Sequence, residues 1–319
     1  MKTLFVTGAE GFAGTHLVKR LKRGGYDVVG GVRNRARKLA FERRYGRALV
    51  CDVSDSINVA RAIASAKPDG IIHLAGTSQP QAAGNEPLIA YQSIVTAWAN
   101  VLDGVRRVAP RARVLLVSAC DVYGNAGADG RSIIENTPLN PISTFGSLKA
   151  TAESIAQTFF RNYHTNISIA RPFHFTGSGQ SERFFFSAVA QQVCNWDFAA
   201  RGDTMQLPDL GCKRDLLHVS DVVTAIEKLI ECGRPNETYN ICSGRTRTVR
   251  EIVEQIIRTA GSNLNVASLP GEAESPVPVL CGDNTKLTGE GWQPTATVDH
   301  AIEELVESFQ PQKAAQAAT

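Results

Sequence analysis

Six short runs rich in Val, Ile and Leu punctuate the first half of the chain: Thr3–Thr7, Asp27–Val32, Ala48–Cys51, Gly70–Leu74, Arg113–Ser118 and Asn166–Ala170. They are apolar nearly throughout rather than alternating, which is the pattern of strands covered on both faces of a parallel sheet. Longer segments with helical periodicity lie between them, near Phe12–Arg23, Ile57–Ala66, Leu88–Val108 and Phe145–Tyr163. This alternation predicts an α/β fold with a doubly wound parallel sheet. Beyond Pro172 the pattern is less regular. Helices are expected near Glu182–Asn195, Ser220–Cys232, Val249–Ala260 and Asp299–Phe309, with a strand at Thr238–Ile241. The expected organisation is a sheet domain over 1–171 and a smaller substrate-binding lobe over 172–309, some of whose segments return to the sheet. The polar, Ala-rich stretch 310–319 is expected to be a disordered tail.

Composition narrows the class. The 319 residues are 43% hydrophobic and 20% charged, with a net charge of +3, too weak a balance to argue for a nucleic-acid partner. The start reaches its first glycines too soon for a signal-peptide core, and no apolar run is long enough to span a bilayer. A soluble cytoplasmic protein without a membrane partner is expected. The seven cysteines are scattered without a C-x-x-C pair, so neither a disulfide framework nor a metal site is expected. One local feature stands out: Arg33, Arg35, Arg37, Lys38, Arg43, Arg44 and Arg47 form a basic run. It reads either as a solvated helix face or as the border of an anion site.

The chemistry begins at the first strand–helix junction, Val6-Thr7-Gly8-Ala9-Glu10-Gly11-Phe12-Ala13-Gly14. Glycines spaced G-x-x-G-x-x-G suit a dinucleotide pyrophosphate. Gly8 permits the tight turn, Gly11 lets backbone approach the phosphates, and Gly14 lets the helix pack on the strand. The helix beginning at Phe12 adds N–H groups and the positive end of its dipole. The sheet domain is therefore read as a Rossmann-like domain binding NAD or NADP. The second strand ends at Arg33 with no carboxylate to take a ribose hydroxyl, which favours NADP by charge without excluding NAD. Asp52 and Val53 after the third strand, and Leu74, Ala75 and Gly76 after the fourth, are placed to line the adenine and the nicotinamide ribose.

Taken with His73-Leu74-Ala75, Val122-Tyr123-Gly124, Lys149, Arg171-Pro172-Phe173, Arg214-Asp215-Leu216-Leu217-His218 and Gly291-Trp292-Gln293-Pro294, these motifs appear in a recognisable order. The chain resembles the extended short-chain dehydrogenase/reductases that act on nucleotide sugars. The resemblance implies NAD or NADP tightly bound and recycled, a nucleotide-sugar substrate and a homodimer built on the helices near 88–108 and 145–163. It also assigns Lys149 and Pro172 to the cofactor, and Thr77, Ser78, Tyr123, His174 and Arg214 to the substrate. The stretches Arg171–Gln180 and Pro278–Leu287 look most like GDP-4-keto-6-deoxymannose reductases. The reductases' Arg-Pro-x-Asp is absent, however: the chain reads Ala273-Glu274-Ser275-Pro276.

The catalytic positions depart from the family pattern. Its Tyr-x-x-x-Lys reads Phe145-Gly146-Ser147-Leu148-Lys149, and its Ser or Thr hydroxyl position is Ala119. Phenylalanine has no proton to exchange, so acid–base work must move elsewhere. In the sugar 4,6-dehydratases of the family, an acidic pair removes the C5 proton and protonates the leaving C6 hydroxyl. Cys120 and Asp121 occupy those two positions, and with Lys149 they are the candidate catalytic residues. A missing Tyr with this set retained resembles the NDP-hexosamine 5,6-dehydratases of antibiotic biosynthesis, of the tunicamycin type, which implies UDP-N-acetylglucosamine (UDP-GlcNAc) as substrate. A 4-keto-sugar reductase and a non-catalytic nucleotide-sugar-binding homologue are the alternatives.

Overall fold

The computed structural model describes residues 2–271 and 275–310. The expectation of a disordered tail, apart from Gln310, lies outside the described residues. The first half contains β1 (Thr3–Thr7), α1 (Phe12–Arg23), β2 (Asp27–Val32), α2 (Arg35–Tyr45), β3 (Ala48–Val50), α3 (Ser56–Ala66) and β4 (Gly70–His73). It continues through α4 (Pro80–Asn85), α5 (Pro87–Tyr91), a π-helical turn (Gln92–Thr96), α6 (Ala97–Val108), β5 (Arg113–Val117), a 3₁₀ turn (Cys120–Tyr123), α7 (Thr144–Tyr163) and β6 (Ile167–Pro172).

The second half follows as β7 (His174–Thr176), α8 (Phe185–Cys194), α9 (Phe198–Arg201), β8 (Thr204–Leu207), β9 (Lys213–Arg214), β10 (Leu216–His218) and α10 (Val219–Cys232). Then come β11 (Thr238–Ile241), β12 (Arg247–Thr248), α11 (Val249–Thr259), β13 (Asn265–Ser268), β14 (Val279–Leu280), α12 (Thr285–Gly289) and α13 (Val298–Glu307).

Seven parallel strands form the main sheet, in the order β11-β6-β5-β4-β1-β2-β3. The order reverses at β1 and β4, so their C-terminal ends open the crevice in which such sheets bind ligands. Both faces are covered, which accounts for the unbroken apolar strands. On one face, Leu17 and Leu21 of α1 pack with Ile226 and Leu229 of α10 and with Tyr239 of β11. On the other, Ile63, Trp98, Val101, Leu102 and Ile167 form a second cluster. The lobe has its own core, in which Val253 and Ile256 of α11 meet Leu305 of α13 and Val189 of α8.

Several expectations are corrected. The helix α2 escaped the periodicity because Phe41 is its one buried residue; it carries most of the basic run on a largely exposed surface. The expected helix Leu88–Val108 is three pieces, interrupted by the π-helical turn. Trp98, Val101 and Leu102 of α6 are fully buried within the chain. No helix among the described residues is long and apolar enough to cross a membrane.

Candidate active site

The glycine turn has the geometry its spacing demands. Gly8 sits at φ +67°, a region L side chains rarely adopt, and its N–H bonds to Gly31 O at 3.1 Å. Gly14 is buried in the first turn of α1, where a Cβ would lie 2.2 Å from Gly8 O. Gly11 is the N-cap, in extended conformation and without a side-chain cap; no acidic residue follows in the first turn. The helix thus offers its N-terminal N–H groups to an anion rather than to its own side chains, which fits a dinucleotide pyrophosphate. Phe12 turns aside from this anion site. Its ring stacks on Phe175 at 5.8 Å and meets His16 edge-on, tying the helix start to the strand that leads into the lobe.

The side expected to face the ribose is polar and open. Arg33 is exposed after β2, followed by Asn34, whose side chain caps α2 through Arg37 N. Arg37, Arg43 and Arg44 line a groove of about 570 Å³ together with Glu10 of the glycine turn. Asp52 is exposed after β3 and accepts from both the N–H and the hydroxyl of Ser54. Val53 is half-buried, and its carbonyl accepts from Asn100. Leu74 and Ala75 are half-buried beside the glycine turn, their N–H groups bonded to Thr7 O and Thr7 Oγ1. Gly76 takes φ +136°, and Thr77 is held by Ser93 of the π-helical turn at 2.8 Å between hydroxyls. Ser78 is exposed next to it. Pro172 is buried at the end of β6.

The catalytic candidates meet at the C-terminal end of β5. The 3₁₀ turn Cys120–Tyr123 is packed against the start of α7, and Gly146 allows the approach: a Cβ there would lie 2.4 Å from Asp121 O. One turn later Lys149 extends back to the same strand end, donating from Nζ to Val117 O at 2.9 Å. Its Nζ lies 5.5 Å from the centre of the Trp98 ring and 5.8 Å from that of Phe145. Burial lowers the Lys149 pKa to about 8, against the opposing pull of Glu153 and Asp121. Phe145 is itself buried in the core face.

Asp121 is half-buried, and that desolvation raises its carboxyl above the usual range while Lys149 and Arg214 oppose the shift. Cys120 is buried, with Sγ 3.9 Å from Asp121 Oδ2. Burial and the neighbouring Asp121 and Asp215 push its thiol well above the ordinary range. The thiol therefore keeps its proton.

The substrate-side residues divide. Arg214 of β9 and His174 of β7 are half-buried and face the catalytic turn closely enough for Arg214 to bias the titration of Cys120, Asp121 and His174. Burial and Arg214 lower the His174 pKa to about 4, so its imidazole is neutral. Two guanidinium contacts of Arg214 go to the carbonyls of Lys213 and Val277. Tyr123 is a correction. It is fully buried, and its hydroxyl donates to Asn240 Oδ1 and accepts from Arg171 Nη1, each at 2.7 Å. That leaves it no face toward a sugar.

Sequence reasoning missed the framework behind these residues. Arg171 is buried and grips Glu153 of α7 through Nη2 at 2.6 Å and Nε at 3.0 Å. Asp215, fully buried, accepts from the N–H groups of Ser243 and Gly244, from the Ser243 hydroxyl and from Gly282 N. His73 shares a 2.7 Å hydrogen bond between Nδ1 and Thr7 Oγ1, and burial lowers its pKa to about 3.

A glycine turn suited to a dinucleotide, a lysine on the helix after β5 and the Cys120-Asp121 turn at the end of that strand fit the extended short-chain dehydrogenase/reductase type. Residues 5–305 match the GDP-mannose 4,6 dehydratase family, and the chain belongs to it. NAD(P) is the cofactor of this family. The chain is 25% identical over 309 residues to the GDP-6-deoxy-D-mannose reductase of Pseudomonas aeruginosa, covering 96% of this chain and 97% of the relative. It is 27% identical over 263 residues to a dTDP-glucose 4,6-dehydratase of Mycobacterium tuberculosis, covering 80% and 76%. The structure of RMD from Pseudomonas aeruginosa complexed with NADPH superposes with a TM-score of 0.85 at 23% identity, over 97% of this chain and 99% of that one.

Proposed function

We propose that the protein is a redox-neutral nucleotide-sugar dehydratase of the 5,6 type, acting on UDP-GlcNAc in antibiotic biosynthesis. The observation that carries this reading is Phe145: a buried aromatic ring without a hydroxyl stands beside a desolvated Lys149, while Asp121 and a protonated Cys120 occupy the facing turn. When bound, the nicotinamide ring supplies a hydride acceptor at the start of each turnover and a hydride donor at its end.

The chain's own residues handle the protons. Lys149, in its neutral form, takes the proton of the C4 hydroxyl as C4 becomes a ketone. That ketone acidifies C5, and the Asp121 carboxylate removes the C5 proton. The C6–O bond breaks as the Cys120 thiol protonates the departing hydroxyl, so water leaves and a C5–C6 double bond forms. Lys149 returns its proton to the C4 oxygen when C4 is reduced again, leaving an exocyclic 5,6-alkene. Proton transfer from Asp121 to the Cys120 thiolate across 3.9 Å resets both groups. The 5,6 outcome and UDP-GlcNAc rest on the resemblance of a tyrosine-free site that keeps this lysine and pair. Arg214 is proposed to meet the pyrophosphate, since a guanidinium binds it bidentately; Thr77, Ser78 and His174 line the sugar. The basic run beside Glu10 favours NADP over NAD by charge.

The test is incubation of the purified protein with UDP-GlcNAc and no added reductant, read by mass spectrometry. A dehydratase yields sugar lighter by one water, catalytically. A second reading, a 4-keto-sugar reductase, is favoured by the 25% identity to the Pseudomonas aeruginosa enzyme; it predicts stoichiometric consumption of NADPH with a 4-keto sugar. A non-catalytic binder predicts neither. A homodimer is proposed from the family resemblance alone, and sedimentation equilibrium checks it.

A further inference from the structure

Away from the catalytic turn, three side chains with metal-ligating atoms converge where the lobe meets the sheet domain. His218 ends β10 and is buried. His300 and Glu304 lie one turn apart on α13, an i,i+4 spacing that puts both on one face. Their ligand atoms all lie within 4.8 Å of one another. His218 Nε2 is 3.1 Å from Glu304 Oε2, and His300 Nε2 is 3.5 Å from Glu304 Oε1.

We infer that His218, His300 and Glu304 form a binding site for a zinc-like divalent transition-metal ion that ties α13 to the end of β10. A tetrahedral ion with bonds of about 2.0–2.2 Å holds its donor atoms roughly 3.3–3.6 Å apart. One edge, His218 Nε2 to Glu304 Oε2 at 3.1 Å, is near that length already, while His300 Nε2 stands 3.5 Å from the other carboxylate oxygen. The two edges to His300 close by rotation of its side chain, which is half exposed and stacked on the His218 ring at 5.3 Å between centres. Two imidazoles and one carboxylate, with a position left for water, suit zinc or cobalt rather than the all-oxygen shells preferred by magnesium or calcium.

The surroundings supply the outer contacts such a site needs. His218 Nδ1 is 2.6 Å from Ser220 Oγ, so when Nε2 binds the ion the imidazole proton sits on Nδ1 and is donated to that hydroxyl. The Ser220 N–H, which bonds to Nδ1 without the ion, gives up that acceptor. The backbone of Ser178 lies beside Glu304, and Ser178 O pairs with His16 of α1 at 3.0 Å. An ion here braces the loop after β7 against both α13 and α1, one turn from the glycine motif. The site does not depend on the proposed reaction.

The test uses the full, untagged chain, freed of metal and dialysed against Zn²⁺, with Mg²⁺ as a control. One Zn²⁺ per chain is expected, with a raised Tm and no effect of Mg²⁺. His300→Ala and Glu304→Gln are each expected to weaken Zn²⁺ binding at least tenfold, His300→Ala while leaving the metal-free Tm unchanged. Substituted Co²⁺ should show visible bands without thiolate charge transfer. Unchanged affinity in both variants, or a thiolate band from the cysteines, overturns the assignment, as does the absence of bound Zn²⁺.

Discussion

Lys149 donates from Nζ to the carbonyl of Val117 at 2.9 Å, at the end of the strand that leads into the catalytic turn. The bond fixes the lysine's position without supplying a counter-charge, and the Trp98 and Phe145 rings, 5.5 and 5.8 Å away, attract an ammonium too weakly to replace its lost hydration. An ammonium in that place lacks the hydration it would have in water, and the neutral amine gains accordingly.

Activity should therefore rise with pH toward a plateau above about 8, the depressed pKa of Lys149, falling roughly tenfold per unit on the acid side of that limb. Stability carries the same signature. Between about 8 and the unfolded value near 10.4, the unfolded chain binds the extra proton, so stability increases with pH across that window. Lys149→Met should abolish turnover and flatten that segment of a urea-denaturation pH series.

Asp121 and Cys120 should separate in their effects. Asp121→Asn is expected to lower turnover by about 10²–10⁴-fold and to stop exchange of the C5 hydrogen with deuterated solvent, with dinucleotide affinity unchanged. Cys120→Ala keeps the base, so C5 exchange should continue while water loss slows. NMR of the recovered substrate distinguishes the two.

Gly14→Ala adds a methyl 2.2 Å from Gly8 O. Relief requires moving either the turn or the helix, at a cost of about 1–3 kcal/mol. Dinucleotide affinity, measured by fluorescence titration, should fall more steeply than the cost in stability implies, because the displaced turn is the proposed binding surface.

Glu153→Gln leaves the buried Arg171 guanidinium without its carboxylate. Breaking a buried pair costs about 3–5 kcal/mol. Urea titration should show a lower midpoint at constant m, and Tyr123, bonded to the same guanidinium, should become more accessible to solvent quenching.

The strands of the main sheet were legible because each is covered on both faces, so burial writes itself as an unbroken apolar run. The helix α2 was not, since a helix resting on Phe41 alone has no stripe to read. The π-helical turn was hidden inside a continuous apolar segment. At the site, the glycines and the Phe145–Lys149 step are local and could be read directly. Burial of the Tyr123 hydroxyl could not, because its partners Arg171 and Asn240 come from distant strands. The same holds for His218 and Glu304, brought together only by the packing of α13 against β10.

The most direct measurement of the central claim is mass spectrometry of UDP-GlcNAc turned over in deuterated water by the protein with its own bound dinucleotide. The account predicts a product lacking one water, catalytic yield, deuterium washed into C5 of recovered substrate, and no net change in cofactor redox state. Stoichiometric consumption of NADPH, or unaltered sugar despite dinucleotide binding, would contradict it.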